Sequence, residues 1–224
     1  MEGRTSLAEK AYDMIKADIV SCRLRPGQLV IEADLAERYG MSKTPVRAAL
    51  NLLSREKLVS VLPRKGTLIA SISVQDIQHT YFLRQLLEPE AAALAARHAT
   101  PDQIEDLVRL AGSTDTGDEH TAALRHNRQF HVAVAEASAN PRLAAMVSEL
   151  LTEVERFYNS HAAYHDSDHL RSDRHQELVE AIRAGDAERA RSVTIENIRR
   201  SRKHLIAALV GESDEAIDGR AAHA

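Results

Sequence analysis

Residues 34–66 read DLAERYGMSKTPVRAALNLLSREKLVSVLPRKG. Their spacing predicts two short helices joined at a glycine, followed by a hairpin with a basic tip. Leu35, Ala36 and Tyr39 share one side of a short amphipathic helix, and Gly40 supplies the residue that takes positive φ after its last turn. Ser42 or Thr44 can cap the next helix, and Pro45 falls in its first turn, where no amide donor is needed. Val46, Ala49, Leu50 and Leu53 then recur at three and four residues on an inner face. Leu58 to Pro63 and Thr67 to Ile72 read as two strands around Arg64, Lys65 and Gly66.

The start of the second helix stays polar, and its side chains carry the chemistry. Ser42, Lys43, Thr44 and Arg47 lie beside unpaired helix amides that attract phosphate. Lys and Arg donate to guanine O6 and N7, while Ser and Thr hold phosphate oxygens and fix a docking register. The tip at Arg64, Lys65 and Gly66 suits a groove or backbone contact. Taken singly, each of these is a helix start or a solvated charge. Together they point to duplex DNA as the partner.

Working outward, the whole chain has 224 residues and a formal charge of -4, which is the wrong sign for a nucleic-acid binder until it is divided. Residues 1–72 hold 12 Lys and Arg against 8 Asp and Glu, a balance of +4; residues 73–224 hold 17 against 25, a balance of -8. A basic N-terminal unit displaces counterions from DNA while an acidic remainder is kept away from it, so the two parts have separate jobs. One cysteine, Cys22, excludes an internal disulfide framework. No apolar run approaches the roughly 20 residues of a membrane span, and MEGRTSLAEK lacks a signal-peptide core. These features lead us to expect a cytoplasmic protein with no membrane partner.

The N-terminal unit opens with Ser6 and Glu9 in capping-box spacing, then a helix through Tyr12, Ile15 and Ile19 that covers the other two. From Val74 the pattern is helical almost throughout. Breaks fall at Thr100-Pro101, Gly112 to Asp118, Asn140-Pro141, Asp166 to Asp168 and Gly185-Asp186. They delimit helices over about 74–98, 101–111, 119–138, 141–163, 169–184 and 186–210, with no strand pattern or internal repeat. The expected fold is mainly α: a winged helix-turn-helix over residues 1–72, an antiparallel bundle of about six helices over 73–210, and a disordered tail over 211–224.

The interior predicted for that bundle is unusual. Asn127 and His131, one turn apart, sit at the centre of an apolar face with Leu124, Val134 and Ala135. His175 is in the middle of the face formed by Leu178, Val179 and Ile182, and Asn197 shares a face with Ala190, Thr194, Ser201 and Leu205. Leaving such groups unpaired costs roughly 1 to 3 kcal/mol each, so each other, water, a metal or a ligand must satisfy them. Arg84 faces inward with Ile77, Tyr81, Ala91 and Ala95. It can grip a carboxylate through two parallel bonds, or simply pair with Glu88 four residues on; both readings stand. His161, His165 and His169 are spaced by four but are interrupted by Asp166, Ser167 and Asp168, and read as a solvated loop. The run Arg199, Arg200, Arg202, Lys203 reads as an exposed helix face.

These motifs resemble the GntR family of bacterial transcription factors. Its winged helix-turn-helix pattern stands here as Leu24, Pro26, Gly27, Leu35, Ala36, Ser42, Lys43, Thr44, Pro45, Val46, Arg47 and Gly66. Lys43 replaces the family's arginine, keeping the charge and losing the bidentate fork. The second part resembles the all-helical FCD effector domain of the FadR subgroup, with an aspartate and three histidines in set spacing. His131 and His175 match two of the histidines; Asn127 replaces the aspartate and Asn197 the last histidine.

The resemblance implies a homodimer on double-stranded operator DNA, a small carboxylate effector bound near Arg84, Asn127, His131, His175 and Asn197, and a divalent metal, zinc or nickel, at His131 and His175. Two neutral imidazoles and two amides supply no negative charge and are poor zinc or nickel ligands. Either a weakly held ion is completed by water and an acid, or the amides hydrogen-bond an organic ligand directly. The expected function is a ligand-controlled transcriptional regulator, a repressor rather than an activator, and not an enzyme. Two alternatives remain: a DNA-binding dimer with a degenerate pocket, and a metal-dependent enzyme in the bundle, which lacks a carboxylate at hydrolase spacing from either histidine.

Overall fold

The computed structural model describes residues 6–112, 120–160 and 173–221. They divide into two compact units, Met1–Val74 and Gln75–Ala224.

In the first unit, α1 (Leu7–Val20) starts at a complete capping box: Ser6 N donates to Glu9 Oε2 at 2.7 Å and Glu9 N to Ser6 Oγ at 3.1 Å. After β1 (Leu29–Val30) come α2 (Glu32–Arg38), α3 (Lys43–Arg55), β2 (Val59–Leu62) and β3 (Gly66–Ile69). Gly40 takes φ +62° in the turn between α2 and α3. Ile15, Ile19, Leu24, Val46, Leu50, Leu53, Leu58 and Ile69 form the core, all at most 2 % exposed. An ionic node ties the helices together. Asp18, buried on α1, accepts from Arg23 Nε at 2.6 Å and from Tyr39 Oη at 2.7 Å, and Arg38 Nη2 lies 3.1 Å away.

The three strands lie in the order β1-β3-β2, all antiparallel. The two hairpin strands are those expected, but β1, which pairs Leu29 with Leu68 and Val30 with Thr67, was not. Two residues are too short to show a period. The link is built into Gly66: it adopts φ +121°, and a Cβ there would stand 2.6 Å from the Val30 carbonyl oxygen.

The second unit is helical among its described residues: α4 (Val74–His98), α5 (Pro101–Gly112), α6 (His120–Glu136), α7 (Pro141–Asn159), α8 (Asp173–Arg183) and α9 (Ala187–Ala221). α7 packs on α6, α9 on α8, and α5 on both α6 and α8. One core cluster gathers Ala92, Ala95, Leu107, Phe130, Val134, Leu178, Ile182, Ala190 and Val193; a second gathers Ala91, Ala135, Ala144, Val147 and Leu151.

Helix α4 is apolar on two sides. Ile77, Tyr81, Ala91 and Ala95 are buried, while Phe82, Leu83 and Leu86 on another face are 61, 43 and 54 % exposed. The largest departure from expectation is α9, which runs on through residues 211–221 where the sequence suggests a disordered tail. Gly211 costs a helix about 1 kcal/mol but does not stop it alone, and Glu212, Glu215 and Ala216 are good helix formers. The row His161, His165 and His169 and the breaks expected at residues 113–118 and 166–168 lie outside the described residues. No described helix is long and apolar enough to cross a membrane.

Candidate functional site

Helix α3 begins at Lys43, with Ser42 as its N-cap in extended conformation (φ -75°, ψ 164°). The Ser42 hydroxyl makes no capping bond. Its oxygen and the first amides of the helix are thus left to an outside partner. Ser42, Lys43, Thr44 and Arg47 are exposed, while Pro45, Val46, Ala49 and Leu50 anchor the opposite face. Arg64 and Lys65 are exposed at the hairpin tip, where Arg64 adopts φ +63°.

Arg47 is not free. Its Nε donates to both carboxylate oxygens of Glu32 at 3.0 Å, and its Nη2 to Oε2 at 2.8 Å. Hydrogen bonding from Arg47 holds the Glu32 carboxyl below its ordinary pKa, and the Arg47 and Lys43 charges add to this. Glu32, the first residue of α2, was not read as functional in the sequence, because the pair spans two helices and 15 positions.

In the bundle, a cavity of about 10 Å³ is walled by Glu88, Ala91, His131, Val134, Ala135, Val147, Leu178 and Thr194. That is room for about one water. Of the five residues expected at a ligand site, His131 lines it. His175 stands behind, its ring 5.1 Å from that of His131 and stacked on Phe130 at 4.1 Å. Asn127, one turn before His131, is only partly buried.

Arg84 and Asn197 are placed by the helices that carry them. Tyr81 Oη lies 2.6 Å from Ser201 Oγ, so these residues face each other across α4 and α9. Glu88 and Thr194, seven residues along each helix, both line the cavity. Arg84 and Asn197 fall between those two levels, on the same faces. Arg84 is 3 % exposed, donates through Nε to Glu88 Oε1 at 2.5 Å and through Nη2 to Oε2 at 3.4 Å, and lies 4.8 Å from the centre of the Tyr81 ring. Its Nη1 is buried with no hydrogen-bond partner, and so is Asn197 Nδ2.

Residues 7–69 match the model of bacterial regulatory proteins of the gntR family, and residues 79–200, more than half of the chain, match the FCD domain. The chain belongs to the GntR family. It is a DNA-binding transcriptional regulator with an FCD domain, as is borne out by relatives along its length. It is 26% identical over 200 residues to the HTH-type transcriptional regulator YdhC of Bacillus subtilis, covering 87% of this chain and 88% of YdhC. It is 30% identical over 148 residues to the transcriptional regulator McbR of Escherichia coli, covering 65% of this chain and 67% of McbR. The solved structure of E. coli McbR superposes with a TM-score of 0.75 at 25% identity, covering 91% of this chain and 99% of McbR. The expectations of a mainly helical winged regulator and of a non-enzyme hold.

The donor set of this GntR regulator does not fit the zinc or nickel that the family resemblance implies. Among the described residues no three His, Cys, Asp or Glu side chains are placed to hold an ion. The one carboxylate on the cavity wall, Glu88, is bound to Arg84, and the Arg84 charge bears on His131. A cation there would meet the neutral His131 imidazole and the charge of a buried guanidinium.

Both histidines are held neutral. Burial first, and then the Arg84 charge, lowers the His131 pKa to about 3; burial, and then His131 and His126, lowers that of His175 to about 2. Below the ordinary value of 6.5 the unfolded chain binds protons that the folded one refuses, so stability present at neutral pH is lost as pH falls from 6.5 toward 3. Each histidine contributes up to about 1.4 kcal/mol per pH unit. Replacing both His131 and His175 with Phe is expected to flatten the acid limb of stability, read as urea midpoints between about pH 7 and about pH 5. An acid limb as steep as wild type would show that these rings titrate normally.

Proposed function

We propose that the chain is an operator-binding repressor in the bacterial cytoplasm that acts as a homodimer and is released by a small organic acid bound in its bundle. The observation that carries the DNA half is the first turn of α3. Ser42, Lys43, Thr44 and Arg47 are exposed there in a row, with an N-cap hydroxyl free of its own helix, while Arg64, Lys65 and Gly66 shape the hairpin tip. α3 enters the major groove, Arg47 and Lys43 read base edges, Ser42 and Thr44 take phosphates, and the tip follows the backbone.

Support for the dimer comes from α4. A helix apolar on two sides wants both covered, and Phe82, Leu83 and Leu86 leave one of them exposed. A twofold pair of DNA-binding units would match a short palindrome. The effector site is Arg84, Asn127, His131, His175 and Asn197, of which Arg84, His131 and His175 are buried and Asn127 and Asn197 partly so. The small cavity favours one second reading, a dimer whose pocket no longer takes a ligand. Thermal shift against a panel of organic acids separates the two, since a ligand that binds the folded state raises the unfolding temperature by mass action.

Arg47→Ala tests the recognition assignment. Specific operator affinity is expected to fall by about 1 to 3 kcal/mol with relaxed sequence preference, whereas Ser42→Ala is expected to weaken binding evenly across sequences. Mobility shift on specific and scrambled duplexes reads both. An Arg47→Ala protein that discriminates as well as wild type would exclude Arg47 as a base reader.

A further inference from the structure

Of the row Ser42, Lys43, Thr44 and Arg47, only Arg47 has a planar fork, since Lys43 ends in a single ammonium. The Nε and Nη2 edge of that fork lies on the Glu32 carboxylate, while Nη1 and the second hydrogen of Nη2 are not spent there. The pair is a surface one, with the Arg47 side chain 64 % exposed and that of Glu32 28 %. Such pairs add little to stability. Glu32 is nonetheless well placed as a carboxylate: it is the first residue of α2, where the helix end favours negative charge, and the Lys43 charge reaches it too. Its consequence lies at the DNA surface.

In a major groove the pairing has two effects. An exposed arginine loses much rotamer freedom when it is ordered, and one already held along one edge loses less on binding. With its side edge on Glu32, Arg47 presents the end-on edge, Nη1 and Nη2, which suits the O6 and N7 of guanine. The second effect is exclusion. Arginine grips a phosphate with the same two-bond geometry that it uses for a carboxylate, so an unpaired Arg47 would hold the backbone of any sequence. Glu32 fills the place that a phosphate would take, and its charge repels one.

We infer that Glu32 is a specificity-determining positioning residue, which holds Arg47 end-on for a guanine edge and denies the same guanidinium to backbone phosphates. This rests on the DNA-recognition reading of α3 given above. Glu32 lowers affinity for arbitrary DNA more than for the selected site, and discrimination is the difference between the two. It also leaves a signature in salt. Each phosphate that a cation neutralises adds about 0.9 to the slope of log affinity against log salt; Arg47 paired with Glu32 adds none, and a freed Arg47 adds about one.

The test uses the full-length protein, a duplex that wild type selects from a randomised pool, and a scrambled duplex of the same composition, followed by fluorescence anisotropy over a range of salt. Glu32→Gln removes the charge at nearly constant shape. It is expected to raise affinity for the scrambled duplex about three- to tenfold, to steepen its salt slope by about one, and to cut the ratio of selected to scrambled affinity about tenfold. Glu32→Asp keeps the charge but is one carbon short of the fork, and is expected to lower the ratio with a smaller change in slope. In an Arg47→Ala background, Glu32→Gln is expected to leave the ratio within about twofold, because the fork that it positions is gone.

A Glu32→Gln protein with the wild-type ratio and slope, or one whose ratio falls equally when Arg47 is already removed, overturns the inference. So does a preference switched to another base, since Glu32 would then read that base itself. Should Glu32→Gln fail to fold, a wild-type ratio in Glu32→Asp overturns it equally. Loss of discrimination in Arg47→Ala with full discrimination in Glu32→Gln would remove this inference and leave Arg47 as a base reader; full discrimination in Arg47→Ala would remove both.

Discussion

Arg84→Met is expected to destabilise the bundle by about 3 to 5 kcal/mol, and adding Glu88→Leu to that variant to recover most of the loss. Both side chains are at most 4 % exposed. With Arg84 gone, the Glu88 carboxylate is left in an apolar interior beside the neutral His131 imidazole, and the protein must either keep an unpaired charge or take up a proton. With both gone, the site becomes apolar, and hydrophobic replacement of a buried ion pair is often neutral or favourable. Urea unfolding at neutral pH, followed by helical circular dichroism, measures all three proteins. The double variant is also expected to lose response to any carboxylate while still binding operator DNA. A single variant within about 1 kcal/mol of wild type would show that Glu88 finds another partner.

The second large effect concerns assembly. Phe82→Glu together with Leu86→Glu is expected to convert the protein to a monomer and to lower operator affinity by about 10² to 10⁴-fold, the gain that two tethered half-site contacts give over one. The residues are exposed and lie away from Arg84 and Glu88 on α4, so the fold of each protomer should be little changed. Sedimentation velocity gives the oligomeric state and fluorescence anisotropy the affinity. A variant that remains a dimer would place the interface elsewhere on the bundle.

What the sequence revealed follows from the range of each signal. The capping box at Ser6 and Glu9, the turn at Gly40, the start of α3 and the hairpin around Gly66 are all local, and local spacing is enough to read them. Strand β1 was hidden because two residues carry no period and its partner is 38 or so positions away. The Arg84 to Glu88 pair was visible as a one-turn spacing, yet the sequence could not choose between clamp and ion pair; the structure has Arg84 paired with Glu88 while Nη1 keeps a donor in reserve. His131 and His175 were correctly placed inside by helical period, whereas Asn127 is only partly buried. The alignment of Arg84 with Asn197 depends on α4 meeting α9, a contact 120 residues apart at Tyr81 and Ser201, and no periodicity can show it. The hold of Glu32 on Arg47 was missed for the same reason.

The central claim is that a basic helix end and hairpin tip bind duplex DNA selectively under the control of an acid in the bundle. The most direct measurement is fluorescence anisotropy of the full-length protein against the duplex upstream of its own coding region and a scrambled duplex, over a range of salt and with or without an organic acid that raises its unfolding temperature. The account predicts tight binding to the upstream duplex alone, affinity that falls steeply with salt, and release by the acid. Equal affinity for both duplexes, or binding to neither, would contradict it.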